Sequence, residues 1–174
     1  MTTSSQSIDL LSEVFYKGLP LGLVSKADIV KWADETIMNE LEPDYFLIEL
    51  AMAKNANELM EVLNQTTKFT NNRIVFRVLL GLVYYKLNND DINLIEASLL
   101  MDTINCKAID ILTDNERDYM YQFDDEIQWM YKTNDKEKRQ LEVLRFLSAY
   151  QDLRLDGYTR WVAINEQIEV HFQE

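Results

Sequence analysis

The stretch NNRIVFRVLLGLVYYKLNN, residues 71–89, decides how the rest of the chain is read. It is the most apolar segment, and its apolar residues fall nearly all round a helical wheel, as expected of a helix with neighbours on several sides. The run from Ile74 to Leu87 is interrupted by Arg77 and Lys86, and it falls short of the roughly 20 apolar residues that span a bilayer. The pattern therefore predicts a buried central helix. Gly81 within it costs about 1 kcal/mol relative to alanine, and a close helix crossing is the natural compensation.

Outward from this segment the helical signals repeat. On the N-terminal side, Ile8, Leu11, Val14 and Phe15 recur at helical spacing up to the turn GLPLG. SKADIVKWADETIMNEL opens on an S-x-x-D capping box, Ser25 with Asp28, and places Ile29, Trp32, Ala33 and Ile37 on one stripe. Pro43 suits the first position of a third helix, and Asn55 or Asn57 caps a fourth. On the C-terminal side, a helix follows Asp90 or Asp91, and Thr113 with Glu116 forms another capping box. Residues 135–153 read as an amphipathic helix with Leu141, Leu144, Leu147 and Tyr150 inward, DG at 156–157 as a turn, and Trp161, Ile164, Ile168 and Phe172 as the inner face of a last helix. The expected fold is all-α, seven or eight helices in a bundle or a short repeat-like stack, with residues 1–6 a disordered lead and residues 7–174 one helical domain.

Composition agrees. The 174 residues are 47% hydrophobic and 11% aromatic, enough for a sizeable core, and include just four glycines and two prolines, too few for the turns of an all-β chain. One cysteine, Cys106, excludes an internal disulfide framework, and the MTTSSQS start lacks the basic and apolar segments of a secretory signal. A cytoplasmic protein is expected. The net charge of -13 is uneven: residues 1–87 carry 11 acids and 8 bases, residues 88–174 carry 19 acids and 9 bases. Within residues 88–126 alone, 11 acids face two bases, Lys107 and Arg117. Such a field repels nucleic acid and anionic lipid and draws in basic partners.

The chemical inventory is thin. Phosphate-binding and nucleophile motifs of the G-x-x-x-x-G-K-[ST], G-x-G-x-x-G and G-x-S-x-G types are missing. A Cys–His site would have to join Cys106 to the single His171, distant in sequence and without a local signature. The acids of NNDD, 88–91, and Asp124, Asp125 and Glu126 match no EF-hand loop, and consecutive acids point around a helix rather than converging. Paired carboxylates occur by chance in any chain with 30 acids. The expectation is no enzyme, no catalytic residue, no cofactor and no metal site.

The most informative polar segment is DYMYQFDDEIQW, residues 118–129. At 100° per residue, Tyr119, Met120, Phe123, Ile127, Met130 and Tyr131 share one arc and read as the core face. Asp118, Tyr121, Asp125 and Trp129 form a second face, which either packs under another helix of the domain, leaving the acids at its margin, or serves as a binding surface. Tyr and Trp are the residues that anchor interfaces, and carboxylates around them speed association with a basic partner. Asp118, Tyr121, Asp125 and Trp129 are therefore the candidate partner-binding residues, with Asp114 and Asp124 adding to their field.

The segment GLVSKADIVKWADETIMNELEPDYFLIELAMAKNANELMEVLNQ, residues 22–65, with its Gly-turn, D-I-V-x-W-A-D, Pro-led helix and N-E-L-M-E-V-L, resembles bacterial immunity proteins encoded beside polymorphic or contact-dependent toxins. The resemblance implies a non-enzymatic protein that binds a cognate toxin domain, often a basic nuclease, and blocks its active site or substrate channel. It assigns no contact residues. The other readings are a helical adaptor or scaffold for a peptide or partner helix, and a carboxylate-based metal-dependent enzyme.

Overall fold

The computed structural model describes the backbone of residues 5–70, 72–130 and 136–173, and the side chains of residues 6–70, 72–123 and 136–170. The fold is all-helical. Among the described residues there are nine α-helices: α1 (Ser5–Gly18), α2 (Lys26–Asn39), α3 (Tyr45–Met52), α4 (Ala56–Thr66), α5 (Arg73–Asn88), α6 (Leu94–Lys107), α7 (Asp114–Met130), α8 (Lys136–Leu147) and α9 (Trp161–Gln173), with short 3-10 turns at Ser148–Tyr150 and Leu155–Arg160. They exceed the expected seven or eight, although each falls on one of the helical segments marked out in the sequence, and just three residues separate α3 from α4. Helix α1 takes in Ser5 and Gln6 of the expected lead. No helix among the described residues is long and apolar enough to cross a membrane. The chain divides into two compact units, Ile8–Thr70 and Asn71–Glu174 with Met1–Ser7.

In the unit Ile8–Thr70, local chemistry sets the helix ends. Ser25 accepts from the Asp28 amide at 3.1 Å while Asp28 accepts from the Ser25 amide at 2.8 Å, so the predicted capping box closes the start of α2. Asn55 caps α4 by accepting from the Glu58 amide at 3.0 Å, while the Glu58 carboxylate accepts from the Lys54 amide at 2.8 Å. Pro43 stands two residues ahead of α3 rather than at its first position, because Asp44 takes the cap and accepts from the Phe46 amide. The stripe of α2 buries Ile29 and Ala33, and Trp32 meets Phe15 at 5.4 Å and Phe46 at 6.5 Å, edge-on and tilted. The Lys26 Nζ donates to the Lys54 carbonyl at 2.6 Å, which ties the start of α2 to the end of α3 and makes the pair an antiparallel hairpin. The segment after α4 returns to α1: Glu13, fully buried, accepts from the Thr70 amide and hydroxyl at 3.0 and 2.9 Å and lies 3.5 Å from Lys17 Nζ.

In the unit of Asn71–Glu174, α5 is the central helix that its apolar pattern predicts, buried from Ile74 through Val83. It packs against α6, α8, α9 and the Ser148–Tyr150 turn. Gly81 explains the closest approach: a Cβ there would lie 2.6 Å from the Tyr150 carbonyl oxygen and 3.1 Å from that of Leu153. The compensation for glycine is thus backbone passing over backbone, supplied by the stretch that follows α8. Asp90 and Asp110 hold left-handed backbone (φ 60° and 63°) just beyond the ends of α5 and α6, a conformation that Asp tolerates better than most side chains. The acids of NNDD therefore include one that serves chain reversal.

Two inward assignments do not hold. Leu141, placed on the inner stripe of α8, is exposed, whereas Val143, Phe146 and Leu147 are buried. Tyr119, placed on the core arc of α7, is half-exposed and stacks its ring on Phe146 at 5.5 Å. The inner face of α8 is rotated toward Val143 and Phe146, and Phe146 meets α7 at its margin. Met120 and Phe123 are buried as expected. Ile127, Met130, Tyr131 and Phe172 lie outside the described side chains.

Candidate functional site

Helix α7 carries two faces of opposite electrostatic character. It starts at the predicted capping box: the Thr113 amide and hydroxyl donate to Glu116 Oε2 at 2.9 and 2.7 Å, and the Glu116 amide reaches Thr113 Oγ1 at 3.3 Å. From that cap, residues 116, 120 and 123 follow one stripe, and residues 114, 118 and 121 follow another. The first is inside and the second is outside.

The inner stripe opens on an ion pair that sequence reading missed. Arg77 from α5 and Glu116 from α7 have fully buried side chains and meet in a two-pronged bond, Nε to Oε1 at 2.7 Å and a terminal nitrogen to Oε2 at 3.1 Å. Tyr150 donates its hydroxyl to Glu116 Oε1 at 3.0 Å. The other Arg77 terminal nitrogen donates to Asn165 Oδ1 at 2.6 Å and Glu169 Oε1 at 3.1 Å on α9. Arg73, one turn before Arg77, also grips Glu169 Oε1 at 2.9 Å and donates to the Ile111 carbonyl at 2.7 Å.

The energetics of this network follow from burial. Desolvation alone would raise the Glu116 pKa, but the Arg77 bond and charge and the Thr113 donors outweigh it and hold the carboxyl below its usual range. Glu169 is held low in the same sense: its desolvation is overcome by Arg73, Arg77 and Asn165. Burial, then the Glu116 charge and the bond to it, push the Tyr150 hydroxyl well above its ordinary value. Among the described residues Glu116 accepts five donors, which fills the roughly four lone-pair directions of a carboxylate. A signal for this network was present in the sequence: a guanidinium inside the most apolar helix must be paired, and a capping glutamate was its available partner.

The outer stripe is different. Asp114 and Asp118 are exposed, Tyr121 is half-exposed, and neither aspartate makes an ion pair among the described residues. Asp110 stands exposed in the turn before α7. The Arg117 guanidinium lies 6.0 Å from the Tyr121 ring centre; Arg117 is itself held by Asn105 Oδ1 at 3.1 Å. Of the six predicted partner-binding residues, the structure thus brings Asp114, Asp118 and Tyr121 onto one stripe. Asp124, Asp125 and Trp129 belong to the span of α7, and their side chains lie outside the described residues. Cys106 is exposed near the end of α6, and the His171 side chain lies outside the described residues. Among the described residues no group of three or more His, Cys, Asp or Glu side chains is placed to hold a metal ion. Searches of protein-family models, curated proteins and solved structures find no match to this chain.

Proposed function

We propose that this chain is a non-enzymatic immunity protein that acts in the cytoplasm by binding a cognate, basic toxin domain, and that the outer stripe of α7 is part of the contact. One observation carries the reading: Asp114, Asp118 and Tyr121 stand exposed on a single stripe, the two acids without ion pairs among the described residues, inside a segment where 11 acids face two bases. An unpaired carboxylate on a surface is already solvated, so it accelerates encounter with a cation at little cost. A half-exposed tyrosine beside it supplies rigid apolar area of the kind that anchors interfaces. The resemblance of residues 22–65 to immunity proteins supports the same class.

The test is association with the toxin domain encoded beside this chain. Copurification is expected, with an association rate that falls as salt rises from about 50 to 300 mM. Tyr121→Ala should weaken the complex by about 1–3 kcal/mol. A complex indifferent to both salt and Tyr121→Ala would place the contact elsewhere.

A further inference from the structure

The unit Ile8–Thr70 carries a second surface that owes nothing to α7. Met38 is 77%, Leu41 103%, Tyr45 69% and Met52 74% exposed. Single exposed apolar residues need no explanation, but four large ones in fifteen residues of one hairpin do. Met38 sits in the last turn of α2, Leu41 follows in the turn, and Tyr45 is the first residue of α3. Met52 shares the face of Tyr45 seven residues on, a separation of about 10 Å along the helix.

Between Lys31 and Lys54 every charge has one sign. Asp34, Glu35, Glu40, Glu42, Asp44 and Glu49 are all exposed, and no lysine or arginine occurs between Lys31 and Lys54. Glu35 meets Lys31 at 3.9 Å, and Asp44 caps α3. Asp34 and Glu35 lie one turn from Met38 on α2, while Glu49 lies between Tyr45 and Met52 on the outer face of α3. The result is an apolar strip whose flanks are acidic from Asp34 to Glu49, with Lys54 and Lys26 beyond its Met52 end.

We propose that the α2–α3 hairpin docks a basic amphipathic helix of a partner protein. The apolar strip sets the mode: Tyr45 and Met52, two turns apart on α3, with Leu41 and Met38 leading into them, suit the i, i+3 or i+4, and i+7 anchors of an incoming helix. Methionines at both ends provide adaptable contact area. The rim selects the sign. A second copy of this chain would bring six carboxylates against six, and an anionic lipid surface would be repelled in the same way. Lysines and arginines flanking an apolar face complement it. The surface lies in the unit that the α7 reading does not use, so each can fail alone.

The intact chain is tested by fluorescence anisotropy with a labelled leucine–lysine peptide of about four helical turns, its leucines on one face. Two controls accompany it: the same composition with leucines scattered round the helix, and a leucine–glutamate analogue. The amphipathic lysine peptide should bind, the scattered one about tenfold more weakly, and the glutamate one not at all. Leu41→Ser with Tyr45→Ser should lose about tenfold in affinity while Tyr121→Ala loses none. Amide resonances of residues 34–52 in the unsubstituted chain should shift on binding, a readout that needs no variant to fold. Equal binding of the amphipathic and scattered peptides, undiminished binding by the double variant, or shifts confined to residues 88–123 would overturn the proposal. So would a concentration-dependent dimer in sedimentation that the double variant abolishes, since that would assign the surface to a second copy.

Discussion

Glu116 and Asp118 stand two residues apart on α7 and carry the same charge, yet their surroundings have little in common. Glu116 has no exposed surface and five donors. Asp118 is exposed and makes no ion pair among the described residues. The difference teaches that acidity in this chain serves two ends. Inside, one carboxylate joins α5, α7 and the turn after α8 through charge-assisted bonds; outside, carboxylates stay solvated and accessible to a partner. A buried ion pair is not in itself a source of stability, but once built into the core its loss is costly, because the surviving charge has no water to return to.

The comparison breaks most visibly at Arg77. Arg77→Met should destabilise the fold by about 3–5 kcal/mol by leaving the buried Glu116 charge uncompensated; urea unfolding measures it. The same pair predicts an acid sensitivity. The folded Glu116 pKa lies below the unfolded carboxylate value of about 4.3, so its contribution is complete above that value and is lost as pH falls through the lower folded one. Stability followed downward from neutral pH should decline in that window in the native chain. It should decline less in Arg77→Met, whose Glu116 no longer has a lowered pKa to lose.

Next in size is Gly81→Ala. The new methyl would collide with the Tyr150 and Leu153 carbonyls, and overpacking should outweigh the gain in helix propensity, for a net loss of about 1–2 kcal/mol in the unfolding free energy. Tyr150→Phe keeps the ring against Phe146 and removes the hydroxyl that donates to Glu116; thermal unfolding should register a loss of about 1 kcal/mol. The smallest effect belongs to the outer stripe. Tyr121→Ala should change stability by no more than about 0.5 kcal/mol, its ring contact with Arg117 being on the surface.

What the sequence revealed, and what it hid, divides along the range of the interactions. Helix starts at Ser25 and Thr113 were legible because a cap and its partner lie within three residues, and the start of α4 was narrowed to Asn55 or Asn57, of which Asn55 is the cap. Pro43 was misplaced by two positions, since Asp44 competes for the same cap and only the folded backbone decides between them. The α5 pattern was legible from its all-round apolarity, and Gly81 announced a close approach without naming the backbone that makes it. Leu141 and Tyr119 were misread because a helical wheel finds the apolar arc but not which part of it a neighbour covers. The Arg77–Glu116 pair spans 39 residues and escaped notice, although each residue carried half of the signal. Of the candidate face, Asp118 and Tyr121 lie exposed on one stripe, which Asp114, read from the sequence as adding to their field, extends. The α2–α3 surface went unread because its apolar residues looked like those of any helix until their exposure was known.

The account stands most directly on a matched pair of isosteric substitutions, Glu116→Gln and Asp118→Asn, each removing one charge from α7 with no change in size. Urea unfolding at neutral pH should show a loss of about 3–5 kcal/mol for the first and a change within about 0.5 kcal/mol for the second. Equal losses, or a larger loss for Asp118→Asn, would contradict the division of α7 into a face that holds the fold and a face left open to a partner.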